Sequence, residues 1–160
     1  METEKLKFKI GLSGSHPDKQ PEFRIRLNEN EYVHTSLTKG PNEVEYFEFE
    51  SELIEGDQTL HIELLNKRIG DTIFDETNNI IGDLLLSIES IEIDEIDIGS
   101  LKWTLSEYRP IYPKPHLITV IKETGSPPNE VVKNCVNLGW NGTWTLPFQS
   151  PFYIWLLENL

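Results

Sequence analysis

Two stretches of strong apolar–polar alternation bracket a turn crowded with carboxylates, and they constrain the fold of this chain more than any other feature. LHIEL at 60–64 and LLLSIESIEI at 84–93 place apolar side chains two residues apart, the spacing that lines one face of a β-strand. Between them lies NKRIGDTIFDETNNIIGD, 66–83, too polar and too rich in turn formers to continue either strand. After Leu84, Leu86 and Ile88 the apolar pattern slips by one and resumes on Ile91 and Ile93, which predicts an irregularity inside the second strand.

The same alternation recurs on both sides. Leu6, Phe8, Ile10 and Leu12 form one face, with Lys5, Lys7 and Lys9 opposite, and Phe23, Ile25 and Leu27 form another after the loop GSHPDKQP. A weaker strand is expected at 32–37. EVEYFEFESEL at 43–53 changes phase between Tyr46 and Phe47, read as a bulge or bend. Glu55-Gly56-Asp57 then reads as a hairpin turn into Leu60. Short strands at this spacing predict antiparallel sheets packed face to face, a jelly-roll-like sandwich of about eight to ten strands.

The last third changes character. YRPIYPKPHL at 108–117 carries too much proline for a central strand and is expected to be an extended arm. HLITVIK at 116–122 reads as a further strand, 143–148 as another, and a short C-terminal helix is expected with Ser150 as its cap and Pro151 at its first position. The division expected is a sandwich core over 1–105, completed into a single domain by the arm, extra strands and aromatic segment of 106–160. At 160 residues with 38% hydrophobic content, one sizeable core can form. With Cys135 as the single cysteine, no intramolecular disulfide can staple it.

Charge limits the partners. A net charge of −13, from 27 acidic against 14 basic residues, disfavours a nucleic-acid backbone, where affinity comes from Lys and Arg neutralising phosphates. No apolar run is long enough to span a bilayer, and METEKLKFKI lacks the apolar core of a secretory signal. A product made in the cytoplasm without a signal peptide is expected, with neither nucleic acid nor membrane as its partner.

Enzyme chemistry finds little purchase. His16, His34, His61 and His116 are scattered, and no HExxH, G-x-S-x-G or glycine-rich phosphate loop occurs. The run IESIEIDEIDIG, carrying Glu89, Glu92, Asp94, Glu95 and Asp97, reads as a solvated strand face whose like charges discourage edge pairing. The acidic turn offers more. Calcium takes six to eight oxygen ligands, and Asp71, Asp75 and Asp83 are the candidate metal ligands, with spacing unlike that of an EF-hand. Trp103 and Tyr108 are candidate sugar-stacking platforms. Trp140, Trp144, Phe152, Tyr153 and Trp155 either cap the core or dock a partner, since such aromatics dominate interface hot spots.

Residues 44–103, from FEFESELIEGDQTLHIELLNK through the acidic turn to IIGDLLLSIESIEIDEIDIGSLKW, resemble the calcium-dependent xylan-binding carbohydrate modules. That resemblance implies a jelly-roll sandwich, calcium as cofactor and glycan as ligand. It departs at Asn66-Lys67, where those modules carry Asn-Asp. The same stretch, with EYRPIYP and the terminal GWNGTWTLPFQSPFYIWLLENL, is similar to small proteins of tailed bacteriophages. This second likeness implies a non-catalytic virion component such as a capsid decoration, neck, tail or fibre-associated protein. Its partners would be other virion proteins, in a homo-oligomer or multi-copy assembly, and surface glycans. A free calcium-dependent carbohydrate-binding protein is the alternative.

Overall fold

The computed structural model describes residues 2–160. In chain order the elements are β1 (Thr3–Gly14), β2 (Glu22–Leu27), β3 (Asn30–Ser36), β4 (Glu45–Ile54), β5 (Gly56–Leu64), β6 (Ile73–Phe74), β7 (Ile80–Gly82), β8 (Leu86–Ile93) and β9 (Ile96–Asp97). They continue as α1 (Leu101–Thr104), β10 (Glu107–Pro110), α2 (Lys114–Thr124), β11 (Val132–Lys133), β12 (Asn137–Leu138), β13 (Gly142–Ser150) and α3 (Phe152–Asn159). The alternation of the sequence becomes two antiparallel sheets. One runs β12-β8-β1-β4, with β9 beside β8, and the other runs β11-β10-β13-β5-β2-β3. The result is an all-β sandwich, as the period-2 pattern predicts.

The facing sides interdigitate. Leu6, Phe8, Ile10 and Leu12 of β1 are buried against Phe23, Ile25 and Leu27 of β2, Leu60, Ile62 and Leu64 of β5, and Trp144, Leu146 and Phe148 of β13. Phe8 stacks on Phe49 of the neighbouring strand at 5.0 Å, and Phe49 stacks across the gap on Tyr32 at 4.5 Å. Burying apolar surface on this scale is the main force holding the sandwich together. On the outer face of the first sheet, Lys5, Lys7 and Lys9 sit opposite Glu52, Glu50 and Glu48 in the β1–β4 register. Opposite charges there favour this register over a slipped one, because a one-residue slip would turn Phe8 and Ile10 to solvent.

Several local expectations change. The phase slip in β8 is real: Gly11 pairs with Ser90 but Leu12 with Ile88, leaving Glu89 as the extra residue of a bulge. The one expected at Tyr46 and Phe47 does not occur, since β4 pairs with β1 without a break from Glu45 to Ile54. Phe47 and Phe49 face the core, while Val44 and Tyr46 lie on the outside over Gly11, where an added Cβ would meet both within 3.1 Å. Glu55 is no hairpin turn either. β4 belongs to one sheet and β5 to the other, so the chain crosses the sandwich there. Gln58, buried at the crossing, donates to the Ile54 carbonyl at 2.6 Å and accepts from Asn28 at 2.7 Å.

Residues after 105 are integral to both sheets. β13 lies between β10 and β5, and β12 forms an edge of the first sheet. HLITVIK is not a strand but most of α2, an outer helix with no fully buried residue, preceded by Pro113 and ended by Gly125 in the left-handed region at φ +82°. The C-terminal helix is present, but Ser150 ends β13 instead of capping it. The cap comes from far away: the Glu4 carboxylate accepts from Ser150 Oγ at 2.5 Å and from the Phe152 N–H at 2.9 Å. Among the described residues no helix is long and apolar enough to cross a membrane.

One ionic cluster on the second sheet sets a pH dependence. Glu63 accepts from Arg24 and Arg26, each at 2.7 Å. Burial pushes its carboxyl up, but the two guanidinium groups outweigh this and hold it below the usual carboxylate range. A carboxyl depressed by folding stabilises fully above its unfolded value of about 4.3, and that contribution is lost as pH falls through the folded value. Thermal denaturation of the wild type is therefore expected to show Tm falling below about pH 4.5. Glu63→Gln should melt lower at neutral pH and show a shallower acid decline. An unchanged acid slope in this variant would remove Glu63 from the account.

Candidate functional site

The segment joining β5 to β8 leaves the sandwich at Leu64 and is pinned at once on both sides. Asn66 accepts from the Glu22 N–H at 2.8 Å and donates to the Gln20 carbonyl at 3.0 Å. The Lys67 N–H donates to Asn141 Oδ1 at 2.7 Å, and the Asn141 amide donates back to the Lys67 carbonyl at 3.1 Å. These bonds direct the Lys67 side chain inward, where it is 1% exposed. Its ammonium pairs with Asp83 Oδ1, donates to the Leu84 carbonyl at 3.3 Å, and lies 5.1 Å from the centre of the Trp140 ring. A buried ammonium demands such partners, because unpaired charge out of water is strongly unfavourable.

The three carboxylates expected to bind metal do not converge. Asp71 closes a single 3₁₀ turn over Ile69–Asp71, with its Oδ2 accepting from the Arg68 N–H and from Lys19 Nζ, each at 2.7 Å. Burial pushes its carboxyl up, but these donors leave it below the usual range. Asp75 folds back on its own turn, with Oδ1 accepting from the Thr77 N–H at 2.9 Å, the Thr77 hydroxyl at 2.8 Å and the Asn79 N–H at 2.9 Å. Its backbone and side-chain donors lower its pKa as well. Asp83 Oδ1 takes Lys67, the Thr72 hydroxyl at 3.0 Å and the Leu84 N–H at 2.9 Å. Among the described residues no group of three or more His, Cys, Asp or Glu side chains is arranged to hold a metal ion. The donor set therefore does not fit calcium, which needs six to eight oxygens free to coordinate it.

Around Asp83 the fold builds a cleft of about 300 Å³, lined by Ile69, Thr72, Phe74, Ile80, Asp83, His116, Gly139 and Trp140. The β6–β7 hairpin supplies Phe74 and Ile80, which are 55% and 62% exposed. α2 supplies His116, whose ring centroid lies 4.6 Å from that of Trp140 and 5.6 Å from that of Tyr112. Tyr108, beneath, fixes the Trp140 backbone: its hydroxyl donates to the Trp140 carbonyl and accepts from the Trp140 N–H at 3.1 Å. Burial raises the Tyr108 phenol far above its ordinary pKa, so it stays protonated. While Asp83 Oδ1 is saturated, Oδ2 makes no hydrogen bond among the described residues. An aromatic ring beside apolar walls, a hydroxyl, an imidazole and a half-free carboxylate is a surface that can receive a ring bearing hydroxyl groups.

The remaining candidates separate. Tyr108, at 4% exposure, cannot offer its ring to a sugar. Trp103, on α1, is 51% exposed and lines a separate cavity of about 500 Å³ with Ile88, Glu89, Lys102 and Val136. Of the aromatics read as docking anchors, Trp144, Phe152 and Trp155 are buried in the core. Trp140 is half-buried at the cleft and Tyr153 is 48% exposed, its hydroxyl 3.1 Å from Asp94. The sequence reading missed His116, Thr72 and the buried state of Lys67. Pro113, Pro115 and Gly125 are helix start and stop signals that could have placed His116 on a helix.

No protein-family model matches the sequence, and no curated protein matches it. Among solved structures the chain is similar to a carbohydrate-binding module described as "vCBM60 in complex with galactobiose", with a TM-score of 0.51 and 8% identity. The alignment covers 88% of this chain and 96% of that one. At such low identity the likeness is one of fold, and it extends over nearly the whole sandwich.

Proposed function

We propose that this chain is a non-catalytic glycan-binding domain that receives a short neutral oligosaccharide in the Trp140 cleft. The observation that carries the reading is that the Trp140 ring, His116 and Asp83, whose Oδ2 makes no hydrogen bond among the described residues, line one pocket. The ring packs against the apolar face of a pyranose, and the carboxylate accepts from its hydroxyls in a charge-assisted bond. A net charge of −13 repels sulfated or uronic-acid glycans, which favours a neutral ligand. Likeness of fold to a module solved with galactobiose supports the same class.

Isothermal titration with galactobiose, alongside neutral xylo- and gluco-oligosaccharides, tests this. Saturable binding to at least one of them is expected. Trp140→Ala should weaken it about tenfold or more, the equivalent of ~1.4 kcal/mol of lost stacking, while Trp103→Ala leaves it within twofold. Flat traces with all three sugars would sink the proposal, and loss with Trp103→Ala alone would move the site to the other cavity.

The setting we propose is that of a multi-copy virion component of a tailed bacteriophage, on the strength of the sequence likeness over 44–103 and the C-terminal segment. α3 offers Tyr153, Ile154 and Leu157 outward, with Leu160 just after it, each at least 48% exposed, as the surface that would meet other virion proteins. Mass spectrometry of purified particles checks this setting directly, and absence of the chain from them would remove it.

A further inference from the structure

We propose that Lys67 is a resident cation that takes the place of a metal ion at this cleft, so that glycan recognition here is independent of calcium. The inference rests on the glycan-binding reading for its second half and on geometry alone for its first. A carboxylate set to receive sugar hydroxyls has to be held in one orientation. In the modules that this chain resembles, calcium is the cation expected to provide that. Here the ammonium of Lys67 pairs with Asp83 Oδ1, and its side chain is 1% exposed, so it is a permanent part of the structure.

The other groups bonded to Asp83 Oδ1 are committed in the same sense. Thr72 Oγ1 and the Leu84 N–H complete the donors on Oδ1, while the Leu84 carbonyl also accepts from Lys67. A divalent ion brought to Oδ1 would have to displace three donors and sit beside a fixed positive charge that has no route to solvent. Asp71 does not line the cleft, and Lys19 and the Arg68 N–H hold its Oδ2. Asp75 does not line it either, and its Oδ1 organises its own turn. Asp83 is the one of the three that lines the cleft, and its Oδ2 makes no hydrogen bond among the described residues. Lys67 itself does not reach the ligand. It is a positioning residue that acts through Asp83, backed by the Trp140 ring at 5.1 Å.

Calcium chloride alone is the decisive probe, with the wild-type chain. Calorimetry is expected to show no saturable calcium binding, and Tm should be the same within 1 °C in excess EDTA and in millimolar calcium, roughly the noise of such a scan. The Kd for galactobiose should change less than twofold between those buffers. A saturable calcium isotherm with a rise in Tm that Asp83→Asn abolishes would overturn the proposal. Lys67→Asp supplies a readout that a merely structural lysine would not move. It replaces the cation by a second carboxylate beside Asp83, so its stability should become calcium-dependent, low in EDTA and raised by several degrees in calcium. A folded Lys67→Asp protein indifferent to calcium counts against a cation site at this position. If the variant does not fold in either buffer, the wild-type calcium titration decides. Flat sugar traces combined with absent calcium binding would remove the glycan reading and leave the cation assignment standing.

Discussion

Trp144→Ala is expected to lower stability by about 3–5 kcal/mol, the usual range for deleting a fully buried tryptophan. For a domain of this size that corresponds to a fall in Tm of roughly 6–20 °C. Trp144 sits near the start of β13, 0% exposed, with Ile62 of β5 on one side and Tyr108 of β10 on the other in the strand register. Removing the ring opens a large cavity between the sheets, and the surrounding β-branched side chains can collapse into it only in part. It also orphans the Cys135 carbonyl, which accepts from the indole N–H at 3.0 Å. Thermal denaturation monitored by near-UV circular dichroism measures the effect. A loss below about 1 kcal/mol would mean that the sandwich repacks freely there, contrary to the density of cores of this kind.

Gly142→Ala is the second large effect, and its cause is backbone geometry. Gly142 starts β13 at φ +152°, a region that residues with a Cβ avoid at a cost of about 1–3 kcal/mol. The added carbon would also lie 2.3 Å from the Arg109 carbonyl oxygen and 2.7 Å from Pro110 Cα. Both are backbone atoms of the paired strand, so neither can swing aside as a flexible side chain would. β10 and β13 must therefore part at the residue next to Asn141, which holds the Lys67 backbone and accepts the Ile111 N–H at 2.6 Å. The expected result is a lowered Tm together with weakened galactobiose binding, since Trp140 and Lys67 both depend on that junction. A variant with wild-type Tm and affinity would show that the junction yields without disturbing the cleft.

The contrast between these substitutions shows how far the sequence could be read. Trp144 belongs to a run whose alternation marks it for an inner face, although its aromatic neighbours left open whether it capped the core or met a partner. Nothing in GWNGTW declares that Gly142 approaches another strand, because that contact depends on β10, more than thirty residues earlier in the chain. α2 illustrates a different limit. Its β-branched ITVI run carries strand propensity, yet Pro113, Pro115 and the left-handed Gly125 frame a helix, and no free sheet edge was required to receive it. The crossing at Glu55 was hidden for a third reason: a one-residue link between two alternating strands has the same local pattern whether the strands pair with each other or lie in opposite sheets.

The site divides in the same way. Asp71, Asp75 and Asp83 were visible as acids in a turn, and Lys67 was visible as a break in the resemblance. Their partners were not visible, because hydrogen bonds such as Lys67 to Asp83 and Asn141 to Lys67 join segments that only folding brings together. By itself the sequence pointed to an antiparallel all-β sandwich, because a period of two leaves each strand an apolar face to bury and most runs of the chain carry that period, so a second sheet is the cover at hand. The tertiary structure alone decided which carboxylate faces a cleft, which lysine is buried beside it and which aromatic ring backs them both. Alternation is a local property of the chain, whereas a binding site is a juxtaposition of residues that are distant along it.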